Sequence, residues 1–267
     1  MLKYPILMVH GMGFRDRKHF GYWGRIPKAL EKRGERIFFG GQDSNGTVEH
    51  NGEFLAKRVR EIIDKSGCGR LNVIAHSKGG LDMRYAVSTL GIGEYIASLS
   101  TVSTPHNGSL TVDKLLRLPD PLVRFAGHCS DLWLRLMGDK NPNAYRVFHS
   151  FTTSQAKLFN ENNPDDEKVY YQSFAFTFSS MFSDMTMFIP HLAVKLVEGE
   201  NDGLLTPRAA QWTNFRGVYK GAANRGISHC DEVDMRRRRL TRKRGEGISD
   251  IVDFYIELVS ELEEKGF

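Results

Sequence analysis

The chain has little cysteine: three residues in 267, at Cys68, Cys129 and Cys230. That is too few, and too scattered, for a disulfide scaffold or a zinc cluster. Three reduced thiols in a reducing compartment are expected, with one bridge at most. No uninterrupted apolar stretch comes near the roughly 18 residues that a membrane helix needs. The opening "MLKYPILMVHG" shows no charged leader, long apolar stretch and small-residue cleavage site, so no secretory signal is written there. A cytoplasmic location is the expectation, or a secreted one if a leader had been removed. Charge of one sign is scarce outside one place. The net charge is +5, and "RRRRLTRKR" at 236–244 supplies seven basic residues, so the remainder is slightly acidic. A global nucleic-acid footprint is thereby excluded, and no recognised nucleic-acid module surrounds the run.

What is present is core material. Apolar residues make up 40% and aromatics 11%, ample for a packed interior and opposed to disorder. Strand-like runs at 4–10, 36–41, 71–75 and 96–105 alternate with helical spacing over 21–34, 46–67 and about 78–90. In the 46–67 segment Phe54, Leu55, Val59, Ile62 and Ile63 form one stripe, and Gly67 ends it. Strands alternating with helices of this length predict parallel βαβ units. The expected class is α/β: a doubly wound, mostly parallel central sheet with helices on both faces and ligands at the strands' C-terminal ends.

That pattern breaks between about 110 and 165, where the spacing is helical and no convincing strand occurs. Leu115, Leu116, Leu118, Phe125, Trp133, Leu134 and Leu136 make the segment apolar. It reads as a helical cap or lid over the sheet's C-terminal edge. The alternative is a pair of core helices, and the two differ in whether the apolar face meets a cleft. Strands are expected again at 169–176, 191–199 and 215–221, before a final amphipathic helix at 249–264. With no internal repeat and no linker, 1–267 is expected to be a single domain carrying the helical insertion.

The stretch "LNVIAHSKGG" at 71–80 ends a buried strand in a serine flanked by small residues two before and two after. This is the nucleophile-elbow pattern, in which a strained strand-to-helix turn holds one hydroxyl at the sheet's edge. Ala75 stands where glycine is usual, and a plain turn with a serine helix cap is the competing explanation. A catalytic serine needs a base, an acid to orient it and donors for the oxyanion, in the chain order Ser, Asp or Glu, His. Asp202 in "EGENDGLL" follows the 191–199 segment, and His229 is the only histidine after it. Ser77, Asp202 and His229 therefore fall in order, with Glu200 and Asp184 as rival acids. The oxyanion donors expected are the N–H groups of Lys78, after the serine, and Met12 in "VHGMG". A dinucleotide loop at "GMGFRD" is rejected, because the third glycine would fall on Asp16. Cys230 adjoins His229 but reads as packing.

These residues resemble the bacterial triacylglycerol lipases and related esterases of the α/β-hydrolase superfamily. The resemblance rests on "PILMVHGM", "LNVIAHSKGGLDMRYA", "STVSTPHNGS", "ENDGLL" and "SHCDEVD", and so covers nearly the whole chain outside the insertion. It implies an α/β-hydrolase fold with a lid over an acyl-binding cleft. It also implies ester hydrolysis through an acyl-enzyme, with Ser77, Asp202 and His229 as the triad. The substrate implied is a small-molecule or lipid ester, and the chemistry requires no cofactor. Many members carry a structural calcium that braces the histidine loop. Asp231, two residues after His229, and Asp184 match its acidic ligands. The four arginines 236–239 depart from that pattern, since their charge opposes a dication. A salt bridge from Asp231 to one of them would brace the loop without metal. A disulfide near the acid, common in secreted relatives, has no cysteine pair here.

Two further expectations concern lipids. The insertion's leucines, Phe125 and Trp133, with "FAFTFSSMFSDMTMF" at 174–188, are candidates to line the acyl cleft, the alternative for each being plain core. Arg236, Arg237, Arg238 and Arg239 are candidates for attraction to an anionic lipid surface, the alternative being a solvated face. Other serine hydrolases (thioesterase, amidase, acyltransferase) would use the same triad. A non-catalytic lipid-binding protein is disfavoured by all three triad positions being intact.

Overall fold

In β1 (Ile6–Val9) all four side chains are buried, so both faces of the strand must be covered. Ile6 and Met8 pack into one apolar cluster, Leu7 and Val9 into the other. That is the two-sided burial of a central parallel strand. The computed structural model describes residues 1–15, 21–178, 183–222, 225–242 and 246–267. Asp16, residues 179–182 of the proposed acyl lining, and Lys243 and Arg244 of the basic run lie outside the described residues.

The elements follow in the order β1, α1 (Ile26–Lys32), β2 (Ile37–Phe39), α2 (Val48–Ser66), β3 (Leu71–His76), α3 (Lys78–Ser88) and β4 (Ile96–Val102). Then come α4 (Leu110–Leu115), α5 (Asp120–Leu136), α6 (Ala144–Ser150) and α7 (Thr153–Asn162). The chain closes with β5 (Tyr170–Thr177), α8 (Phe188–Glu198), α9 (Pro207–Ala210), β6 (Phe215–Lys220) and α10 (Ile251–Glu264). The strands form one sheet in the order β2-β1-β3-β4-β5-β6, and every pairing is parallel. Helices α1 and α10 cover the face of Ile6, Met8, Ile74 and Phe174, and α2 and α3 cover that of Leu7, Val73, Ala75 and Leu99. The α/β architecture with helices on both faces is therefore as expected. Among the described residues no helix is long and apolar enough to cross a membrane.

One expected strand is a helix. Residues 191–198 belong to α8, with Gly199 as its cap, and not to the sheet. The β-branched and apolar run "HLAVKLVE" looks like a buried strand, but only His191 and Val194, three apart, face inward. Ile189 and Leu196 on the other side are each 77% exposed. The acyl lining also needs correction at its start. Phe174 and Phe176 are buried core, edge-on to Phe254 of α10 at 5.2 and 5.1 Å between ring centres. They sit on β5, where alternate residues point to that layer, and so cannot line a cleft at the strand's end.

The inserted segment is four helices without a strand, tied to the body by carboxylates. Glu198 Oε1 accepts from the Ser109 hydroxyl and from the Thr111 N–H and hydroxyl, at 2.7–2.8 Å. Asp139 accepts from the N–H groups of Ser44 and Asn45, and Asp43 from those of Lys140 and Asn141. Between these ties, α5 buries only Gly127 and Leu134, whereas Phe125 is 67% and Trp133 60% exposed.

Phe254 touches Phe174, Phe176 and Tyr219 together. Phe254→Ala is expected to lower unfolding free energy by about 3–5 kcal/mol in urea titration, with little change in the denaturant slope.

Candidate active site

Ser77 lies between β3 and α3 with φ 52° and ψ −133°. A non-glycine residue pays roughly 1–3 kcal/mol for such a conformation, and holds it only where its surroundings over-determine it. Here they do. The Ser77 N–H donates to the Val102 carbonyl at 2.9 Å, and the Thr104 hydroxyl donates to the Ser77 carbonyl at 2.8 Å. A Cβ on Gly79 would come within 2.8 Å of the Val9 carbonyl and closer still to that of His10. One on Gly11 would lie 2.7 Å from the Ser77 Cβ. The first-strand loop thus passes directly over the serine, with Met12 next along it. Ala75, in place of the usual glycine, is fully buried in β3 between Val9 and Thr101, so its methyl is absorbed by the sheet. Ser77 makes no helix-capping bond, and it is the one residue of 71–80 that is not buried. A helix cap is thus excluded as its purpose. Lys78 opens α3, where the first amides have no helical acceptor. Its side chain is buried, with Nζ 2.5 Å from Asp82 Oδ1.

His229 Nδ1 is 2.8 Å from Asp202 Oδ2, and the His229 N–H donates to the Asp202 carbonyl at 2.7 Å. Asp202 is held in turn: its Oδ1 accepts from the N–H groups of Leu204 and Leu205, each at 2.8 Å. Burial alone would push this carboxyl up. The charge and hydrogen bond of His229, then the two N–H groups, outweigh burial and keep it below the usual carboxylate range. An ionised Asp202 requires the proton on Nδ1, which leaves Nε2 as the basic nitrogen. Asp202 lies on the turn after α8 rather than after a strand. It reaches the sheet's edge because the Phe178 N–H, just past β5, donates to the Asn201 carbonyl at 3.1 Å. The ring of His76, the residue before Ser77, is 4.4 Å from that of His229.

The rivals separate from this group. Glu200 is exposed and 3.7 Å from Lys220. Asp184 bonds the Ser228 hydroxyl and Arg236. Burial pushes the Cys230 thiol up to about 12, so it stays protonated. Asp184 and Asp231 do converge, but on the Arg236 guanidinium, at 2.9 and 3.1 Å. Calcium wants six to eight oxygens turned inward; a cationic donor already occupies that position, so these residues do not fit the ion.

A model of the family described as "Putative serine esterase (DUF676)" matches residues 6–122. Triacylglycerol lipase 2 of Saccharomyces cerevisiae is 29% identical, covering 92% of this chain and 74% of that one. A triacylglycerol lipase of Pseudarthrobacter phenanthrenivorans is 26% identical over 61% of this chain, which spans about half (54%) of the bacterial protein. Among solved structures, the mature Bacillus licheniformis lipase BlEst2 superposes with a TM-score of 0.68 at 22% identity, covering 88% of each chain. The metagenomic carboxyl esterase MGS0156 gives 0.72 at 15% identity, over 98% of this chain and 76% of its own. The chain is thus similar in sequence to serine esterases and triacylglycerol lipases, and it shares the α/β-hydrolase fold of solved lipases and esterases.

This α/β-hydrolase has a buried layer beneath His229 that the sequence did not reveal. Tyr22 Oη is 2.7 Å from His76 Nδ1, and His76 Nε2 is 3.0 Å from Glu232 Oε2. Glu232 Oε2 is also 3.9 Å from His229 Nδ1, and the Tyr255 hydroxyl donates to the Glu232 carbonyl at 2.9 Å. Burial, then the nearby Asp202 charge, push the Glu232 carboxyl well up. Burial, then His229, push His76 well down. Burial thus disfavours the charged form of both Glu232 and His76. The only signal in the sequence was an acid three residues after the histidine, on the same short turn.

A carboxyl raised in the folded state gives its full contribution below its ordinary value of 4.5 and loses it as pH rises. Glu232→Gln is therefore expected to gain stability over wild type by about 1.4 kcal/mol per pH unit above that value, until Glu232 ionises. Urea unfolding of both proteins across mildly acidic to neutral pH checks this.

Proposed function

We propose that this α/β-hydrolase cleaves carboxylic esters through an acyl-enzyme on Ser77. The observation that carries the proposal is a strained serine elbow whose preceding residue, His76, lies 4.4 Å ring to ring from a histidine whose Nδ1 is fixed by a buried, ionised aspartate. His229 Nε2 takes the Ser77 proton as Oγ attacks the ester carbonyl. The tetrahedral oxyanion forms against the N–H groups of Met12 and Lys78. His229 then gives the proton to the departing alkoxide, and a water repeats the sequence on the acyl-enzyme to release the acid. Asp202 keeps the tautomer and stabilises the imidazolium without taking the proton itself.

The relatives named as triacylglycerol lipases support a lipid ester as substrate. Within 1–267, taken as a single domain, the lid role narrows from the whole 110–165 insertion to α5. The segments on either side are tied down by Glu198, Asp43 and Asp139, and α7 is held by Arg84, which donates to Asn160 at 2.8 Å. Leu116, Leu122, Val123, Ala126, Tyr145 and Phe148 line an apolar groove of about 330 Å³ beneath α5. An apolar helix face left open to water over such a groove suits contact with an acyl surface. For an anionic lipid surface the exposed candidates are Arg237, which also donates to the Gly21 carbonyl, Arg238, and Arg239, which also pairs with Asp250, whereas Arg236 is half-buried against Asp184.

Ser77→Ala is expected to abolish hydrolysis of p-nitrophenyl esters while circular dichroism stays unchanged, and Asp202→Asn to lower kcat on the order of 10⁴-fold. Equal activity in wild type and Ser77→Ala would sink the proposal. A folded wild type that is inactive on every ester would move the substrate to thioesters or amides. Trp133→Ser with Phe125→Ser should reduce turnover of emulsified triacylglycerol several-fold and leave soluble p-nitrophenyl acetate unaffected; equal loss on both would exclude α5 as a lid.

A further inference from the structure

The ring of His229 is oriented by Asp202, but the loop that carries it, 228–231, needs its own anchor. All four carboxylate oxygens of Asp184 and Asp231 have a hydrogen-bond or ion-pair partner. Asp184 Oδ1 takes the Thr186 N–H at 3.0 Å and its hydroxyl at 2.6 Å. Asp184 Oδ2 takes the Ser228 hydroxyl at 2.5 Å and Arg236 Nη2 at 2.9 Å. Asp231 Oδ1 takes Arg236 Nε at 3.1 Å, and Oδ2 takes Arg225 Nη2 at 3.3 Å. Arg236 Nη2 also donates to the Ser183 carbonyl at 3.0 Å. The Asp231 N–H closes the loop by donating to the Ser228 hydroxyl at 3.2 Å. Two carboxylates, each 3% exposed in its side chain, thus face two guanidiniums, and the group is neutral without any ion.

We propose that Arg236 is a tethered cation that positions His229: it holds the histidine loop in the role a divalent ion would otherwise fill, so the active site needs no metal to stay aligned. Arg236 touches neither substrate nor His229. It acts through Ser228 and Asp231, which flank the histidine in sequence and meet at the same guanidinium through Asp184. Without the guanidinium two buried carboxylates confront each other with Arg225 as the one cation still paired to them among the described residues, and opening of the loop becomes favourable. A displacement of the base by about 1 Å costs about 10²-fold in rate. The proposal rests on His229 being the general base.

The test uses the whole chain as wild type, Arg236→Gln and Arg236→Lys. Calcium titration calorimetry and thermal unfolding after chelator treatment accompany kcat and KM on a soluble p-nitrophenyl ester. Wild type is expected to show no calcium heat, no shift in Tm with millimolar calcium and no loss of kcat with chelator. Arg236→Gln is expected to lose about 10²-fold in kcat at nearly unchanged KM, and to recover part of it with calcium, because its two aspartates then face Arg225 alone and carry a net negative charge. If Arg236→Gln does not fold, Arg236→Lys decides, with a fall in kcat at a retained Tm expected. Wild type that loses kcat to chelator and regains it with calcium overturns the proposal. So does either variant turning over at the wild-type rate. The calcium and melting readouts require no turnover. A wild type inactive on every ester would therefore count against the ester-hydrolase proposal and leave these readouts to judge Arg236.

Discussion

One backbone conformation governs the C-terminal edge of the sheet: Ser77 at φ 52°. A serine reaches it only if the strand before and the helix after are both already committed, so the strain is carried by β3, by α3 and by the neighbours that crowd them. β1 approaches near enough that Gly79 has no room for a side-chain carbon against the Val9 carbonyl, and Gly11 none against the serine. Val102 and Thr104, at the end of β4, take up the serine's N–H and carbonyl. Three adjacent parallel strands therefore converge on one residue. The same convergence brings the loops after β1 and β4 and the turn after β5 to the one place where a hydroxyl stands partly open.

Around that hydroxyl, burial sorts acids by the donors they meet. Asp202 and Glu232 are both fully buried and both near His229. Asp202 sits where two successive N–H groups point at its free oxygen, and it stays ionised. Among the described residues Glu232 Oε1 has no such donor, and burial, then the Asp202 charge, push its carboxyl well up. Two negative charges under one imidazole would repel each other at short range in a dry interior, which disfavours the second.

The sheet and the elbow were legible in the sequence because both rest on local rules. A continuous apolar run such as "ILMV" and a serine framed by small residues need no knowledge of distant partners. Asp202 and His229 were legible through chain order. What escaped was non-local or degenerate. The run at 191–199 has the composition of a strand, and only its inward spacing of three, at His191 and Val194, marks the helix. Nothing local marks His76, since its partners Tyr22 and Glu232 lie 54 and 156 residues away. The four arginines 236–239 are chemically identical. Which one turns inward is set by the short turn at Asp231–Val233 and by Asp234, at φ 54°, which reverses the chain so that Arg236 meets Asp184. Phe174 and Phe176 looked like cleft material because aromatic residues suit either setting. The face of β5 on which they stand decides for the core.

The crossed carboxylates of Asp43 and Asp139 have a cooperative consequence. Each aspartate satisfies amides of the other's loop, so neither loop completes its hydrogen bonds alone: 43–45 and 139–141 form together or not at all. One loop leads from the edge strand β2 into Thr47, the cap of α2, and the other leads out of α5. The rim of the sheet and the far end of the inserted helices are thereby a single unit of folding. Whatever swing α5 makes ends at that joint, and the strand edge behind it is spared.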